Sequence, residues 1–257
     1  ILLEAKSGTR SNFNIRQLYY PYKHFAAKTL KPVHTMLMQF SNGVFYFTEI
    51  TFGRHYFDHS ILRSLAYEPV FKTEPMPKLS LTDLLALPVH IPVGIPVPQA
   101  DDLNKVVDVL LFLFENPSDK SQIAARFEFD DRQGDYYANA ARYLGLADKA
   151  GNLFSLTGSG LALVSEESRN PRNLLLVRAL FGTPLFNDLC RLYFIQLRRL
   201  PDSQIDARLA SDGLTGTTPA RRRGTIKAWL AWTEKALVAS GILPAPYQLF
   251  HVEQDNA

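Results

Sequence analysis

The stretch Ile1-Leu2-Leu3-Glu4-Ala5-Lys6 decides how the start of the chain folds. It is short and apolar, and Ser7-Gly8 follows it, which is typical of a β-strand that ends in a turn. Side chains two positions apart in a strand point to the same face, so Glu4 and Lys6 are predicted to project together. On these residues alone, the pair is either a solvent-exposed ion pair at a strand end or part of a site that binds a divalent cation.

A site of the second kind suits the hydrolysis of a phosphodiester. That reaction needs a divalent cation on the phosphate and a positive group near the attacking water. Glu4 can supply one ligand oxygen and the backbone carbonyl of Ala5 another. Lys6 can orient or polarise the water. The candidate metal ligands are therefore Glu4 and Ala5.

The sequence after this strand predicts a mixture of helix and strand. Residues 12–20 are predicted to be helical, and Pro21 is expected to bend or end the helix. Residues 33–40 and 44–52 are rich in strand-forming residues, and the Asn42-Gly43 pair between them is a strong hairpin signal. These patterns predict an α+β or α/β region in residues 1–74.

A proline-rich stretch follows this region. Six of the sixteen prolines fall within residues 75–98. Because proline restricts both its own backbone and that of the preceding residue, we expect an extended linker over residues 75–100.

Residues 101–168 have the pattern of a winged helix-turn-helix unit. Apolar residues recur at helical spacing over residues 103–114, and shorter helices are predicted over residues 121–127 and 130–144. Two short apolar runs within residues 146–156 then predict a β-hairpin. Thr157-Gly158-Ser159-Gly160 departs from the G-x-S-x-G motif of hydrolases at its first position and favours the start of another helix.

A second helical, winged-helix-like unit is predicted over residues 169–257. Its expected helices cover residues 173–181, 186–200, 203–210 and 219–240. The similarity to the preceding unit is one of element order only, with Gly241-Ile242-Leu243 expected to begin a short wing.

The charge and the cysteine content indicate which partner and which cellular compartment to expect. With 28 Lys and Arg against 25 Asp and Glu, the net charge of +3 is a weak indication of a polyanionic partner. Residues 1–40 hold six basic residues and one acidic residue, and residues 213–230 hold four basic residues and no acidic one. These clusters are either two surfaces for a polyanion or solvated faces. The single cysteine, Cys190, predicts a reducing, cytoplasmic setting, and no apolar run is long enough to cross a membrane.

Three predicted helices and the residues beside their ends carry side chains that suit nucleic-acid contacts. In chain order, these candidates are Arg16, Tyr20, Lys23, Arg132, Gln133, Tyr136, Asn139, Arg142, Thr218, Arg221, Arg222, Arg223 and Lys227. The mixture of amide and guanidinium donors in the second helix favours base edges. The run of arginines at the start of the last helix favours phosphate. The alternatives are that the tyrosines pack into the core and that the charged residues form solvated helix faces.

Glu4-x-Lys6 at the end of an apolar strand, followed by a helix with Arg16-Gln17, resembles the PD-(D/E)XK nuclease fold. The wider sequence resembles bacterial type II restriction endonucleases that join this core to a C-terminal winged-helix domain. The matching stretches are residues 3–6, 16–21, 98–102, 132–137, 140–146 and 221–230. The resemblance implies an α+β fold, with part of an α/β nuclease core in residues 1–74 and winged helix-turn-helix units after it.

The resemblance also implies an activity. A member of this family is a site-specific, Mg²⁺-dependent endonuclease that hydrolyses double-stranded DNA, with Glu4, Lys6 and Gln17 as the catalytic residues here. Many such enzymes cut as dimers, so a homodimer is a further expectation. The family places an aspartate on the strand before Glu-x-Lys as another metal ligand, and no residue precedes Ile1, so we expect the C-terminal part of a nuclease, inactive by itself. The alternative is a non-catalytic winged-helix DNA-binding protein or regulator with a degenerate nuclease remnant.

Overall fold

The chain divides into two compact units, Ile1–Phe71 and Lys72–Ala257. The computed structural model describes residues 1–9, 13–71, 79–195, 200–212 and 218–244, with only the backbone described over residues 218–221. The first unit combines helix and sheet, and the second is mostly helical with a small hairpin. The predicted α+β class is therefore confirmed.

The first unit is built on a four-stranded sheet. Its elements are β1 (Leu2–Ser7), α1 (Arg16–Ala26), β2 (Thr35–Ser41), β3 (Val44–Phe52) and β4 (His59–Tyr67). The strands lie in the order β1-β2-β3-β4, with β1 parallel to β2 and the other pairs antiparallel. Since two parallel strands need a long connection, α1 supplies the crossover between β1 and β2.

The hairpin between β2 and β3 confirms the Asn42-Gly43 signal. Both residues have positive φ, 45° for Asn42 and 79° for Gly43, which is the backbone of a type I′ turn. Strand β4 was not among the predicted strands. All nine of its residues are exposed, so it lacks the alternation of buried and exposed side chains from which strands are recognised.

Helix α1 differs from its prediction at both ends. It begins at Arg16, whose backbone N–H donates to Asn14 Oδ1 at 3.2 Å, and it continues through Pro21 to Ala26. A proline removes one backbone hydrogen bond, here the one to the carbonyl of Gln17. Burial of Leu18 and Tyr19 against the sheet stabilises the helix on the preceding turn. Of the two expected effects of Pro21, a bend or an end of the helix, the second does not occur.

The second unit contains nine helices, a π-helical turn and one hairpin among its described residues. They are α2 (Leu81–Leu85), α3 (Leu103–Glu115), α4 (Lys120–Phe127), α5 (Asp131–Tyr143), β5 (Ala147–Ala150), β6 (Leu153–Leu156), α6 (Gly158–Val164), α7 (Arg169–Phe181), α8 (Pro184–Cys190), the π-helical turn Arg191–Ile195, α9 (Asp202–Ser211) and α10 (Thr218–Ala239). The predicted helices over α3, α4 and α5 and the hairpin after them lie within about two residues of these bounds. Among the described helices, none combines the length and the hydropathy needed to cross a membrane.

Most of the proline-rich stretch is not the extended linker that the sequence predicted. Leu84, Leu85, Val97 and Ala100 are buried in the core of the second unit, and the indole Nε1 of Trp229 donates to the Ala100 carbonyl at 2.7 Å. The prolines restrict the backbone, but they do not prevent the apolar side chains between them from packing. Residues 79–100 therefore belong to the second unit.

A boundary at residue 168 is likewise absent from the described core. One continuous cluster of buried side chains contains residues from both expected units. Phe186 lies between them, with its ring 6.4 Å from Tyr143 and stacked on Trp229 at 5.1 Å. The two expected winged units thus share one hydrophobic core.

The wing expected at Gly241 is a helix end instead. Gly241 has a φ of +71°, its N–H donates to the Val238 carbonyl at 3.0 Å, and the N–H of Ile242 donates to the Leu237 carbonyl at 2.9 Å. This pair of bonds is a Schellman motif, which closes α10. Residues 245–257, which follow this helix end, lie outside the described residues.

Candidate functional site

Glu4 and Lys6 lie side by side on β1, as strand geometry predicts. Lys6 Nζ is 2.9 Å from Glu4 Oε1. The Lys6 side chain is only 8% exposed, whereas that of Glu4 is 29% exposed. In the parallel register Glu4 is paired with Leu37, whose side chain packs with Leu18 of α1. The pair therefore occupies the face of the sheet that α1 covers, and it is more enclosed than an ion pair in free solvent.

The backbone of β1 leaves the Ala5 carbonyl at the edge of the sheet. The N–H of Leu2 donates to the carbonyl of His34, just before β2, at 2.8 Å, and the N–H of Gly8 donates to the Phe40 carbonyl of β2 at 2.7 Å. Even-numbered residues therefore face β2, while the N–H and C=O of Ala5 point to the other side of β1. No described strand pairs with that side. The Ala5 carbonyl is thus directed away from β2, one residue after Glu4.

These two oxygens are a partial set for a cation. Among the described residues, no group of three or more His, Cys, Asp or Glu side chains could hold a metal ion. Glu49 cannot complete the set, because its strand position pairs with Met36 and places it on the opposite face from Glu4. Mg²⁺ commonly keeps several waters and takes one or two protein carboxylates plus substrate phosphate oxygens. Glu4 and the Ala5 carbonyl fit the protein's share of that set.

Glu49 is instead part of a separate ion pair. It is 4% exposed, accepts from Arg63 Nε at 2.7 Å, and lies 2.8 Å from His34 Nδ1. The hydrogen bond with His34 and, after it, the one with Arg63 hold the pKa of Glu49 below its usual range. Its carboxylate is therefore used within the sheet.

The three basic and aromatic candidates of α1 form an exposed stripe. Arg16, Tyr20 and Lys23 are spaced i, i+4 and i+7, and all three are exposed. The Arg16 guanidinium lies 4.3 Å from the ring centroid of Tyr56 and donates to the Tyr56 hydroxyl at 2.8 Å. Gln17 is exposed in the first turn, beside Arg16.

The candidates on α5 separate into two groups. Arg132 and Gln133 are exposed in the first turn. Further along, Arg142 Nη1 donates to Asn139 Oδ1 at 2.9 Å, so these two side chains are bonded to each other. Tyr136 packs partly against the core. The residues that face solvent are therefore at the start of the helix.

The basic residues of α10 are used differently from the prediction. Arg223 donates from Nε and Nη2 to both carboxylate oxygens of Asp206, at 2.9 and 2.8 Å, and from Nη1 to Asp202. Lys227 Nζ lies 2.6 Å from Asp202 Oδ1. These contacts fasten α9 to α10, because acidic residues on one helix meet basic residues at the same spacing on the next. Arg223 and Lys227 are thus not a free phosphate-binding surface.

Three further DNA-binding candidates lie on α10. The side chains of Thr218 and Arg221 lie outside the described residues, and Arg222 is half-buried. The signal that could have revealed the pairing is the spacing of Asp202 and Asp206, which matches that of Arg223 and Lys227.

The α9–α10 ion pairs predict an acid-sensitive contact. Lys227, and after it Arg223, hold the pKa of Asp202 below its usual value of about 4. A depressed carboxyl pKa stabilises the fold above the unfolded-state pKa, and this contribution is lost as pH falls through the folded-state pKa. We expect Asp202→Asn to flatten the fall in unfolding temperature between about pH 5 and 2. Asp148→Asn, at an exposed position on β5, is the control, and equal acid sensitivity of wild type and Asp202→Asn would contradict the prediction.

One cleft in the second unit is lined by polar and charged residues and is a further candidate binding site. A cleft of about 650 Å³ lies between the first turns of α3 and α7 and the side of α10. Asp102, Lys105, Arg169 and Lys235 are among its lining residues. Because both signs of charge line it, the cleft does not select an ion by charge.

Comparison with protein families divides the chain in the same way as its structure. A family model described as a domain of unknown function (DUF7226) matches residues 105–237, more than half of the chain. The chain belongs to this family. A second model, a domain of unknown function (DUF6997), matches residues 1–68 and so covers the unit that carries Glu4 and Lys6. The DUF7226 region begins in α3 and ends in α10, which agrees with a single core across those helices. No curated protein and no solved structure matches the chain.

Proposed function

We propose that the protein is a Mg²⁺-dependent, site-specific DNA endonuclease of the PD-(D/E)XK type, with its cleavage site at the end of β1. The observation that carries the proposal is the Glu4–Lys6 pair, in which a lysine side chain that is only 8% exposed places its ammonium group 2.9 Å from a carboxylate. The helix after this strand begins with Arg16-Gln17, the pair on which the resemblance to that fold partly rests. Type II restriction enzymes are the class that this combination favours.

Each residue of the pair has a distinct role in this proposal. The Glu4 carboxylate and the Ala5 carbonyl hold the cation, which neutralises charge on the scissile phosphate when bound. The Lys6 ammonium, held by Glu4, orients the attacking water and stabilises negative charge near it. Gln17 and Arg16 donate to phosphate oxygens from the first turn of α1. Burial of the Lys6 side chain strengthens these interactions, since the surrounding dielectric is lower than in water.

The helical unit supports DNA binding in this proposal. Helices α3, α4 and α5 precede the β5–β6 hairpin. Ser118, between α3 and α4, exchanges two backbone hydrogen bonds with Phe154 of β6, at 3.0 and 2.9 Å. This element order is that of a winged helix-turn-helix, in which the third helix enters the major groove. Arg132 and Gln133 at the start of α5 are the side chains placed to read base edges.

A cleavage assay tests the proposal. The natural protein that contains this chain is incubated with double-stranded DNA of varied sequence, with Mg²⁺ or with a chelator. Discrete fragments that require Mg²⁺ are expected. DNA binding without cleavage on any sequence would overturn the proposal in favour of the second candidate.

The second candidate is a non-catalytic DNA-binding protein that retains a degenerate nuclease unit. The observation that favours it is the metal set: among the described residues, Glu4 belongs to no group of three or more His, Cys, Asp or Glu side chains that could hold a metal ion. In that case the α5 surface binds DNA, while Glu4 and Lys6 only stabilise β1.

Both candidates predict that Arg132 contributes to sequence recognition. A bidentate contact with a base is worth about 1–3 kcal/mol of discrimination. Arg132→Ala is therefore expected to weaken binding to the cognate site by about this amount and to weaken binding to random DNA much less. Titrations at several salt concentrations measure both affinities. Arg178→Ala, at an exposed position on α7, is the control for loss of one positive charge. An equal loss on both DNAs, with a shallower salt dependence, would make Arg132 a phosphate contact instead.

A further inference from the structure

The loop between β3 and β4 holds two stacked rings in solvent. The rings of His55 and Phe57 are 5.0 Å apart and inclined by only 13°. Phe57 is 67% exposed, so most of this large apolar side chain gains nothing from burial within the fold. Large exposed side chains on an ordered loop are typical of binding surfaces.

The loop has an internal frame that presents these rings. The N–H of Gly53 donates to the Asp58 carbonyl at 2.7 Å, and the N–H of Asp58 donates to the His55 carbonyl at 3.0 Å. Asp58 Oδ2 also accepts from the N–H of Arg54 at 3.2 Å. A side chain at Gly53 would meet this carboxylate, since a Cβ there would lie 1.8 Å from Asp58 Oδ2. A loop closed in this way loses little conformational freedom when a ligand binds.

Tyr56 joins the loop to α1. The Arg16 guanidinium stacks on the Tyr56 ring, and the Tyr19 ring contacts the same ring at a centroid distance of 6.3 Å. The Tyr19 hydroxyl donates to the Arg54 carbonyl at 2.5 Å. The cationic stripe of α1 and the stacked rings of the loop are therefore parts of one surface, which we call the ring surface: Arg16, Arg54, His55, Tyr56 and Phe57.

The charge around the ring surface is positive. Residues 13–31, which include α1, hold four Lys or Arg residues and no acidic one. The acidic residue of the loop, Asp58, is bonded to its own backbone. Exposed aromatic faces beside cations are the chemistry that binds bases and phosphates together. A base within a duplex keeps its faces stacked on its neighbours, so the ligand that fits is an unpaired nucleotide.

We propose that the ring surface binds an unpaired nucleotide of single-stranded DNA. The base stacks on the His55–Phe57 pair, and the adjoining phosphate pairs with Arg16 or Arg54. The inference rests on the proposed function in taking DNA as the polymer. It shares Arg16 with the proposed cleavage site, but the stacking residues His55 and Phe57 have no role in cleavage.

Fluorescence anisotropy with a labelled oligothymidylate tests the inference. Phe57→Ala is expected to weaken binding by about tenfold or more, since each stacked base contributes measurably to affinity, and Phe57→Tyr is expected to retain it. Phe25→Ala is the matched control. Phe25 is 48% exposed on the opposite side of α1 from the Arg16 stripe, so its loss is expected to leave binding unchanged. An abasic strand of the same length is expected to bind the wild type about as weakly as oligothymidylate binds Phe57→Ala.

The outcomes separate this inference from the proposed nuclease function. Equal binding of oligothymidylate by wild type and Phe57→Ala, or equal binding of the abasic strand, would overturn the inference even if duplex cleavage is found. Binding of single strands that depends on Phe57, in a protein that never cuts DNA, would support the inference and remove the nuclease proposal. Because Phe57 is exposed, its replacement is expected to leave the unfolding temperature unchanged, so a folding defect is not the cause of a loss.

Discussion

Replacing Lys6 with methionine is expected to lower the rate of Mg²⁺-dependent DNA cleavage about 10²–10³-fold, which is the usual cost of one preorganised group in the transition state. The Lys6 side chain is only 8% exposed. Methionine preserves the apolar part of this side chain and removes the ammonium group. Binding of uncut DNA in Ca²⁺ is expected to change little, since Lys6 acts on the water rather than on the duplex. Single-turnover cleavage and a binding titration measure the two effects.

Glu4→Gln is expected to cause a comparable loss of cleavage by removing a ligand of the cation. This loss is expected to be partly restored by raising the Mg²⁺ concentration, whereas the loss in Lys6→Met is not. The control is Leu3→Thr, since Leu3 is 52% exposed on the opposite face of β1 and threonine suits a strand. Normal cleavage by both Lys6→Met and Glu4→Gln would place the active site elsewhere.

Replacing Gly160 with alanine is expected to destabilise the DUF7226 region by about 3 kcal/mol, at the upper end of the usual cost of overpacking. A Cβ at Gly160 would lie 2.0 Å from the carbonyl oxygen of Leu146, and that oxygen also accepts from the N–H of Thr157 at 3.1 Å. Backbone has to move to relieve the clash, which disturbs the contact between α6 and the start of the β5–β6 hairpin. The expected fall in unfolding temperature is on the order of 10 °C.

Gly158→Ala supplies the matched control for this prediction. Gly158 lies two residues earlier in the same helix, and a Cβ there would meet nothing within 4 Å. Alanine also has a higher helix propensity than glycine, so the unfolding temperature is expected to stay unchanged or rise slightly. If the two alanine variants unfold at the same temperature, the close approach at Gly160 does not contribute to stability.

Local patterns in the sequence determined many of the elements. The recurrence of apolar residues every three to four positions located α3 and α5, since one side of each helix is buried. The Asn42-Gly43 pair located the turn between β2 and β3 because its backbone requires positive φ. The common direction of Glu4 and Lys6 follows from the alternation of side chains in a strand, so this part of the candidate site was predictable.

The partners of charged and exposed residues depend on contacts between distant segments. Arg223 and Lys227 formed a basic cluster in the sequence, but the fold brings Asp202 and Asp206 of α9 against them. The ring surface likewise joins α1 to a loop some forty residues later, through the contact of Arg16 with Tyr56. No local period marks such pairs, because their spacing is set by how helices and strands pack.

The sequence by itself therefore determined the mixed α+β class, the positions of β2, β3, α3, α4, α5 and the β5–β6 hairpin in outline, and the shared face of Glu4 and Lys6. Only the tertiary structure decided that residues 79–100 pack into the second unit, that Gly241 ends a helix, and which basic side chains are available to a ligand. The physical reason is range: backbone periodicity and turn chemistry act over a few residues, whereas burial and ion pairing join residues far apart in the chain.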